Sequence, residues 1–410
     1  MNLYIFNEEQ RGLSYGVVTY IGELTAAIRN SEINVCVVNL WSNKPQILLE
    51  DVDGVKYWHF PAEISEQRTT DYQKQKELYY SNVVYLLKLY IVDVKKLIFH
   101  LNYSQTNSLA ENLKNTFNCK IIYAVHGFFW CFTLLGNVTR FRKILEQNST
   151  VSNDDELKEK TLRLYREEKV FFETADKIIC LSQATCGILQ DCYQIEKSKM
   201  TVVYNGLRDR YVAVEKTAMA TKPNCPVILF AGRFDDVKGL AYAIRAFKLV
   251  LNNMPQCRFV VAGKGDFDKY MKECEDIWMN VTWTGLIDKE KLYRWYSMAD
   301  IGVIPSFIEQ CSYVAIEMMM HGLPVITSNA AGLAEMTVDG VSGLQVPIAE
   351  YPDRAEIDEI QLADKMLYLL NNPEAAKKIG NNARKRYEEF YSDKIFRKNM
   401  INFYKTICAT

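Results

Sequence analysis

Short apolar runs alternate with segments of helical periodicity along the first half of the chain. The runs are rich in Val, Ile and aromatic residues and fall at 3–6, 34–40, 55–60, 96–102, 119–127, 177–182 and 200–206. Between them, helical patterns occupy 17–30, 74–92, 106–117, 155–174 and 183–192. Strands that are apolar throughout and alternate with helices are typical of a parallel sheet covered on both faces.

A second series of the same kind follows a stretch without clear periodicity at 207–222. Its predicted strands are 226–233, 257–266, 280–286, 301–306, 324–329 and 342–347. We therefore expect two Rossmann-like, doubly wound α/β domains, residues 1–207 and 208–390, facing a deep cleft. Ligands of such sheets bind beyond the carboxyl ends of the strands, so we expect the site in that cleft.

Length and composition agree with this organisation and exclude several other classes. The 410 residues are too many for one ordinary core, and the formal net charge of -1 gives no global attraction to nucleic acid or an anionic membrane. Eleven cysteines without a C-x-x-C pair indicate reduced thiols and a cytoplasmic location. We expect the first apolar run to be a strand and not a signal peptide, and no apolar window reaches the ~20 residues that a membrane span needs.

Two acids flank a mostly apolar segment in the second half, Glu309 and Glu317. Ser312 is a good N-cap for a helix that contains Glu317, and the unpaired N–H groups of a helix N-terminus favour an anion such as a diphosphate. Carboxylates on either side are strong acceptors for sugar hydroxyls. The alternative is that Glu317 is a capping or salt-bridged residue and Glu309 an exposed loop acid.

Other predicted strand ends in the second half carry suitable groups. Arg233 and Lys238 lie at a strand end and the start of the next helix, and Gly263 and Gly265 follow another strand. A third strand is followed by "AAGLAEM", with a turn at Gly332. Each charge taken alone is more typical of a solvated surface, but four strand ends with such groups favour a functional site.

These residues resemble a known family, the retaining family-4 glycosyltransferases of the GT-B fold. In the second half the resemblance rests on the Glu-x7-Glu motif, on the blocks "HGLPVI" and "GLAEM...DGVSGLQVP", and on Gly232, Arg233, Lys238 and Gly239. In the first half it is looser and rests on Gly12, Gly16, His126, Gly127, Asn205 and Gly206.

The resemblance implies roles for individual residues. Arg233 and Lys238 would clamp the donor diphosphate, Glu309 would bind the transferred sugar, Glu317 the ribose, and His126 would face the sugar from the first domain. The implied catalytic residues are thus Arg233, Lys238, Glu309 and His126, and the implied donor-binding residues are Gly16, Gly232, Gln310, Cys311, Ser312, Tyr313, Glu317, Gly332, Leu333 and Glu335. The loop from Gly12 to Gly16 would close over the phosphates, and a C-terminal helix, 391–410, would pack back on the first domain. Many relatives have glycines where this chain has Gln310 and Ser312, so we expect these side chains to reshape the pocket for the donor sugar.

The resemblance also implies a reaction. A hexose or N-acetylhexosamine would move from a nucleotide diphosphate sugar, with UDP favoured, to a hydroxyl of a glycan, a lipid-linked glycan or another acceptor, with its anomeric configuration retained. No cofactor or metal is implied, and we interpret the D-x-D acids Asp51, Asp53, Asp266 and Asp268 as loop and turn residues. Bacterial polysaccharide biosynthesis is the implied setting. The alternatives are a GT-B nucleotide-sugar epimerase and a non-catalytic sugar-nucleotide-binding protein.

One segment of the first half, 128–143, is unusually aromatic and basic. It contains Phe128, Phe129, Trp130 and Phe132, followed by Arg140, Arg142 and Lys143. The aromatics either pack in the core, or form an acceptor-side surface that contacts the inner face of the cytoplasmic membrane. We interpret His321 as a packed residue at a helix end.

Overall fold

The computed structural model describes residues 1–9, 15–62, 72–103, 106–146, 155–211 and 225–409. The chain divides into two compact units. The first comprises Met1–Phe128, Asn153–Gly206 and Asp393–Thr410, and the second comprises Phe129–Ser152 and Leu207–Ser392. Within the described ranges, no helix combines the length and the apolar character needed to cross a bilayer.

The first unit is built on an eight-stranded sheet. Its strands are β1 (Asn2–Glu8), β2 (Asn34–Ser42), β3 (Leu48–Val52), β4 (Val55–Pro61), β5 (Leu97–Leu101), β6 (Cys119–Val125), β7 (Lys177–Cys180) and β8 (Met200–Val202). Their order is β3-β4-β2-β1-β5-β6-β7-β8, and every pair is parallel except the antiparallel pair β3–β4. The sequence pattern did not indicate β3, an edge strand whose residues are all at least partly exposed, because it lacks a buried apolar run.

Helices of the first unit cover this sheet. They are α1 (Tyr15–Ile28), α2 (Tyr72–Tyr90), α3 (Asn107–Thr116), α6 (Asp155–Thr174), α7 (Gln183–Tyr193) and α15 (Asp393–Ala409). The C-terminal helix α15 packs against α1, where the rings of Tyr20 and Phe396 lie 5.8 Å apart. Arg397 also donates to the carbonyl oxygen of Ala27 over 2.6 Å.

The second unit is built on a six-stranded parallel sheet with an additional antiparallel hairpin. The strands of the sheet are β9 (Val227–Phe234), β10 (Arg258–Gly265), β11 (Val281–Gly285), β12 (Ile301–Ile304), β13 (Val325–Ser328) and β14 (Leu344–Val346), and those of the hairpin are β15 (Ile348–Glu350) and β16 (Ala355–Ile357). The order in the sheet is β11-β10-β9-β12-β13-β14. Two α/β units with parallel sheets confirm the predicted fold class.

The second unit also contains helices that connect or flank its strands along the sequence. They are α4 (Phe129–Leu134), α5 (Val138–Glu146), α8 (Leu240–Leu251), α9 (Phe267–Glu273), α10 (Lys289–Met298), α11 (Tyr313–Met320), α12 (Ala331–Met336), α13 (Glu359–Asn371) and α14 (Pro373–Arg386). The core contains the apolar faces of β9, β10 and β12 together with those of α8 and α13.

The structure groups α4 and α5 with the second unit, whereas the sequence-based boundary placed them in the first domain. Specific contacts explain the grouping. Asn137 donates to the carbonyl oxygens of Tyr351 at 2.8 Å and Arg354 at 3.0 Å. A Cβ on Gly136 would lie 2.5 Å from the carbonyl oxygen of Phe307. Contacts between residues so far apart in sequence leave no local signature.

Candidate active site

The turn after β9 places a cation against the loop that follows β12. Asp235 caps a 3-10 turn, Asp236–Lys238, by accepting from the backbone N–H of Lys238 over 3.1 Å. The next residue, Gly239, has a φ of 68°, and a Cβ there would meet the carbonyl oxygen of Pro305 at 1.9 Å. Both facts require glycine at this position. The close approach brings the start of α8 against the end of β12.

Lys238 and Glu309 form an ion pair at this point. The Nζ of Lys238 lies 2.6 Å from Glu309 Oε1, and the hydroxyl of Ser306 donates to the same oxygen over 3.2 Å. The two side chains are 21% and 12% exposed. The pair is thus largely desolvated but still reaches solvent, as a ligand-binding charge pair must.

The N-terminal part of α12 packs tightly on the same loop. The N–H of Gly332 donates to the carbonyl oxygen of Glu309 over 3.1 Å. A Cβ on Gly332 would lie 2.0 Å from the carbonyl oxygen of Gln310, so a side chain there would displace the loop. Leu333 is fully buried, and the backbone oxygen of Glu335 accepts from Arg386 over 2.6 Å. The structure therefore brings Lys238, Glu309, Gln310 and Gly332 together.

Ser312 begins α11 as the sequence predicted. Its hydroxyl accepts from the N–H of Ala315 over 3.5 Å, while its own N–H points at the sulfur of Met336 over 3.2 Å. The neighbouring residues are buried as well, namely Gln310, Cys311 and Tyr313. A thioether is a weak acceptor. The N–H of Ser312 is thus only weakly satisfied in this structure.

Glu317 is fully buried and salt-bridged, which agrees with the alternative interpretation of this residue, although the sequence analysis did not identify its partners. Tyr296 donates to Glu317 Oε2 over 2.9 Å, and Lys289 forms an ion pair with Oε1. His321 is hydrogen-bonded through Nδ1 to the backbone oxygen of Glu317 over 2.8 Å. Burial and the neighbouring carboxylate raise the pKa of Tyr296 well above its ordinary value, so the phenol stays a donor. Lys289 and Tyr296 are seven residues apart on α10 and share a face, which is the signal the sequence held.

Arg233 has partners of its own at the end of β9. It pairs with Asp235 over 3.0 Å and lies over the ring of Phe132, 6.0 Å from the ring centre. The residue before it, Gly232, passes so close to β10 that a Cβ on Gly263 would meet its carbonyl oxygen at 1.7 Å. The sequence placed Arg233 at this strand end but gave no indication of its contact with Phe132.

In the first unit, His126 follows β6 directly. Its Nε2 lies 2.9 Å from the Oδ1 of Asn102, whose amide donates to the carbonyl oxygen of Phe6 over 3.0 Å. The amide oxygen can only accept, so Nε2 carries the proton. Burial lowers the pKa of His126 to about 3, and the imidazole is therefore neutral near pH 7. Gly16 lies on the exposed side of α1, and Gly12 falls outside the described residues.

Most of the aromatic segment lies in cores. Phe128 is buried in the first unit and packs in parallel on Tyr193 with ring centres 5.6 Å apart. Trp130 is buried in the second unit and stacks on Phe141 at 3.9 Å. Phe132 differs, since it is 51% exposed.

Three of the four D-x-D acids have structural contacts. Asp51 accepts from the N–H of Gly54 over 2.9 Å, Asp53 pairs with Arg29 over 2.9 Å, and Asp266 caps α9. Across the described ranges, no group of three or more His, Cys, Asp or Glu residues is placed to hold a metal ion.

Comparison with known proteins gives two family matches and several related proteins. The family Glycosyl transferases group 1 matches residues 215–386, and Glycosyltransferase Family 4 matches residues 15–210. An uncharacterized glycosyltransferase of Methanocaldococcus jannaschii is 30% identical over 237 residues, which is 55% of this chain and 57% of the relative. The chain thus aligns with little more than half the length of that relative.

Solved structures support the same fold over the whole chain. A sucrose-phosphate synthase from Thermosynechococcus elongatus has a TM-score of 0.76 at 22% identity, covering 100% of this chain and 99% of the other. Anabaena HepE in complex with UDP-glucose has a TM-score of 0.70 at 14% identity, covering 99% and 100%. At these identities the likeness establishes the fold. The two family matches together with this fold show that the chain belongs to the family-4 glycosyltransferases with the GT-B fold.

Proposed function

We propose that the protein is a retaining glycosyltransferase that moves a hexose or N-acetylhexosamine from a UDP-sugar to a hydroxyl of a glycan or lipid-linked glycan. The observation that carries the proposal is the partly exposed Lys238–Glu309 pair at 2.6 Å. It lies where β9 and β12, the two central strands of the sheet, end at the carboxyl edge that binds ligands in such folds. The UDP-glucose in the Anabaena structure supports the choice of UDP.

The proposed chemistry uses the two charges differently. The ammonium of Lys238 stabilises the negative charge that develops on the leaving diphosphate, assisted by the guanidinium of Arg233. The carboxylate of Glu309 accepts hydrogen bonds from the transferred sugar's hydroxyls. Glu317 is the proposed acceptor for the ribose, and because it is fully buried with Lys289 on Oε1 and Tyr296 on Oε2, Lys289 must move away before Oε1 can accept from a ribose hydroxyl. The bond from C1 to the phosphate oxygen breaks while the bond from C1 to the acceptor oxygen forms on the same face. The acceptor's proton passes to the leaving phosphate, so the step needs no protein base.

His126 remains a predicted contact to the transferred sugar from the first unit. With its pKa lowered to about 3, it is a neutral hydrogen-bonding group and not a general acid at neutral pH. The remaining predicted donor-binding residues, Gly16 and Cys311 among them, also remain predictions.

The test is turnover of UDP-sugars by wild type and two lysine variants. Lys238→Met removes the proposed clamp. Lys248→Met is the control, since Lys248, on the helix α8 that follows the turn of Lys238, also pairs with a carboxylate, that of Asp276, at 2.7 Å. We expect hydrolysis or transfer to fall at least 100-fold in the first variant, which is about 2.7 kcal/mol at about 1.36 kcal/mol per tenfold, and to be unchanged in the second. Equal rates in both variants would refute the clamp.

The products and ligands also separate the alternatives. An epimerase would return the donor with an inverted sugar carbon and no free UDP, and a non-catalytic binding protein would bind UDP-sugar without turnover. Before these assays, thermal shifts with UDP, GDP and ADP identify the nucleotide, because a ligand at 100 times its dissociation constant stabilises the native state by about 2.7 kcal/mol.

We propose that the peripheral membrane contact expected for lipid-linked acceptors lies on helix α2 and not on the 128–143 segment. Helix α2 exposes Leu78, Tyr85 and Leu89 on one face, and the exposed Lys88 lies beside them. Aromatic and aliphatic side chains next to a cation suit an anionic membrane surface. We expect flotation with phosphatidylglycerol vesicles to be lost in Leu89→Glu and retained in Phe132→Glu. Flotation that is lost in Phe132→Glu and retained in Leu89→Glu would instead place the membrane contact in the 128–143 segment.

A further inference from the structure

Asn102, directly after β5, contacts His126, directly after the neighbouring strand β6. The amide nitrogen of Asn102 donates to the carbonyl oxygen of Phe6, in β1, over 3.0 Å, and its Oδ1 lies 2.9 Å from His126 Nε2. The asparagine is 2% exposed. Strands β1, β5 and β6 are consecutive in the sheet and parallel, so this contact lies at the carboxyl edge where such folds bind ligands.

These hydrogen bonds determine which ring nitrogen of His126 carries the proton. A backbone carbonyl oxygen only accepts, so the amide nitrogen of Asn102 faces Phe6 and its Oδ1 faces the imidazole. An amide oxygen also only accepts, so Nε2 of His126 donates to it. A neutral imidazole has a single N–H, which leaves a lone pair on Nδ1. Asn102 thus makes His126 an acceptor at its second ring nitrogen.

The Nδ1 atom of His126 remains available to a ligand. The residue is partly exposed, and among the residues that the structure describes none forms a hydrogen bond with its Nδ1. The fully buried ring of Tyr20 meets the imidazole edge to face, with ring centres 4.7 Å apart and planes at 75°. Packing on Tyr20 and the hydrogen bond to Asn102 together hold the imidazole in one orientation.

An acceptor nitrogen selects its partner by chemistry. A sugar hydroxyl can donate to it, whereas a group without a proton leaves the lone pair unsatisfied. We propose that Asn102 is a positioning residue that keeps His126 a hydrogen-bond acceptor, so that the site requires a hydroxyl of the transferred sugar at the position facing Nδ1. The proposal deepens the proposed function and rests on it, since it takes His126 as a contact to that sugar.

The first experiment measures the tautomer of His126 without any nucleotide. The chain has four histidines, and nitrogen-15 NMR of histidine-labelled protein separates protonated from unprotonated ring nitrogens. His321 is an internal reference for the opposite tautomer, since its Nδ1 lies 2.8 Å from the backbone oxygen of Glu317 and must donate. With signals assigned from His126→Gln and His321→Gln, we expect the proton on Nε2 in His126 and on Nδ1 in His321. A proton on Nδ1 of wild-type His126 overturns the proposal.

The variant Asn102→Leu tests the positioning role, and Asn39→Leu is the matched control. Asn39 is a buried asparagine of β2 that accepts from Asn7 over 2.9 Å and lies 3.4 Å from His59 Nδ1. Both variants remove a buried amide from the same sheet, and thermal unfolding compares their stability. We expect the Nδ1–H form of His126 to become populated in Asn102→Leu and not in Asn39→Leu. An unchanged tautomer in folded Asn102→Leu contradicts the positioning role.

Donor analogues test the contact with the sugar. Calorimetry measures the binding of UDP, of the UDP-sugar that wild type prefers, and of deoxyfluoro analogues of that sugar, because fluorine cannot donate to Nδ1. We expect fluorine at one position to weaken binding to wild type about tenfold, the order of one hydrogen bond, and to have little effect in His126→Leu and Asn102→Leu. UDP itself should bind all three proteins equally.

Two failures of this experiment are distinguishable. Full affinity of every fluorinated analogue for wild type, or the same tenfold loss in both variants, overturns the proposed contact. If no nucleotide sugar binds wild type, the proposed function fails, whereas the tautomer of His126 is measured without nucleotide and still decides the role of Asn102.

Discussion

Replacing Tyr296 with phenylalanine removes one oxygen atom from the network around Glu317. The phenol donates to Glu317 Oε2 over 2.9 Å, and Glu317 is fully buried. Hydrogen bonds to charged groups contribute about 1.5–3 kcal/mol, because a buried charge that loses its donor retains its desolvation penalty. Lys289 still pairs with the other carboxylate oxygen, so the charge is not left unpaired. We therefore expect Tyr296→Phe to reduce the free energy of unfolding by about 2 kcal/mol.

A matched control separates the charged acceptor from the general loss of a buried phenol. Tyr387 is equally buried and donates to a neutral acceptor, the carbonyl oxygen of Leu207, over 2.9 Å. Tyr387→Phe should cost about 1 kcal/mol, the usual value for a neutral hydrogen bond. Both residues belong to the second unit, so urea unfolding followed by tryptophan fluorescence compares them within one transition. An equal or smaller loss in Tyr296→Phe would refute the view that this phenol stabilises a buried carboxylate.

The same variant reports on the proposed ribose contact. If Glu317 binds the ribose hydroxyls, Tyr296→Phe should weaken UDP binding about tenfold, which corresponds to 1.4 kcal/mol, while inorganic pyrophosphate binding stays unchanged. Isothermal titration calorimetry with UDP and pyrophosphate measures both. A parallel loss for the two ligands would place the effect outside the ribose site.

Two further predictions concern the loop at Gln310 and the pH dependence of stability. Gly332→Ala should lower turnover at least tenfold and reduce stability, because its Cβ would lie 2.0 Å from the carbonyl oxygen of Gln310. The control Gly187→Ala, at a helical glycine with open space around it, should stabilise the chain by about 1 kcal/mol. Thermal unfolding and turnover of both variants provide the check. Burial lowers the pKa of both His100 and His126 to about 3. The unfolded chain therefore binds more protons than the folded chain between about pH 6.5 and pH 3. Stability should fall as the pH falls through this window, by up to about 1.4 kcal/mol per pH unit for each imidazole. His100→Asn should flatten this slope in urea unfolding at pH 4.5, 5.5 and 6.5, and an unchanged slope would show that His100 is not one of the titrating groups.

The sequence by itself determined the elements and the positions of the candidate chemistry. Apolar periodicity located the main strands and helices because each element must bury one face or stripe. Local rules were sufficient where the cause is local, as with Ser312, which caps α11. The same analysis of strand ends identified the spacing of Glu309 and Glu317 and the two cations at and just after the end of β9.

Only the tertiary structure decided which of these groups meet. The approach of α8 to the end of β12 pairs Lys238 with Glu309, 71 residues apart in the chain. The packing of α10 on α11 buries Glu317 under Lys289 and Tyr296. Burial and ion pairing depend on contacts between distant segments, which form only when the whole unit folds. Local pattern therefore predicts where a side chain lies along its element, but not which partner neutralises or supports it.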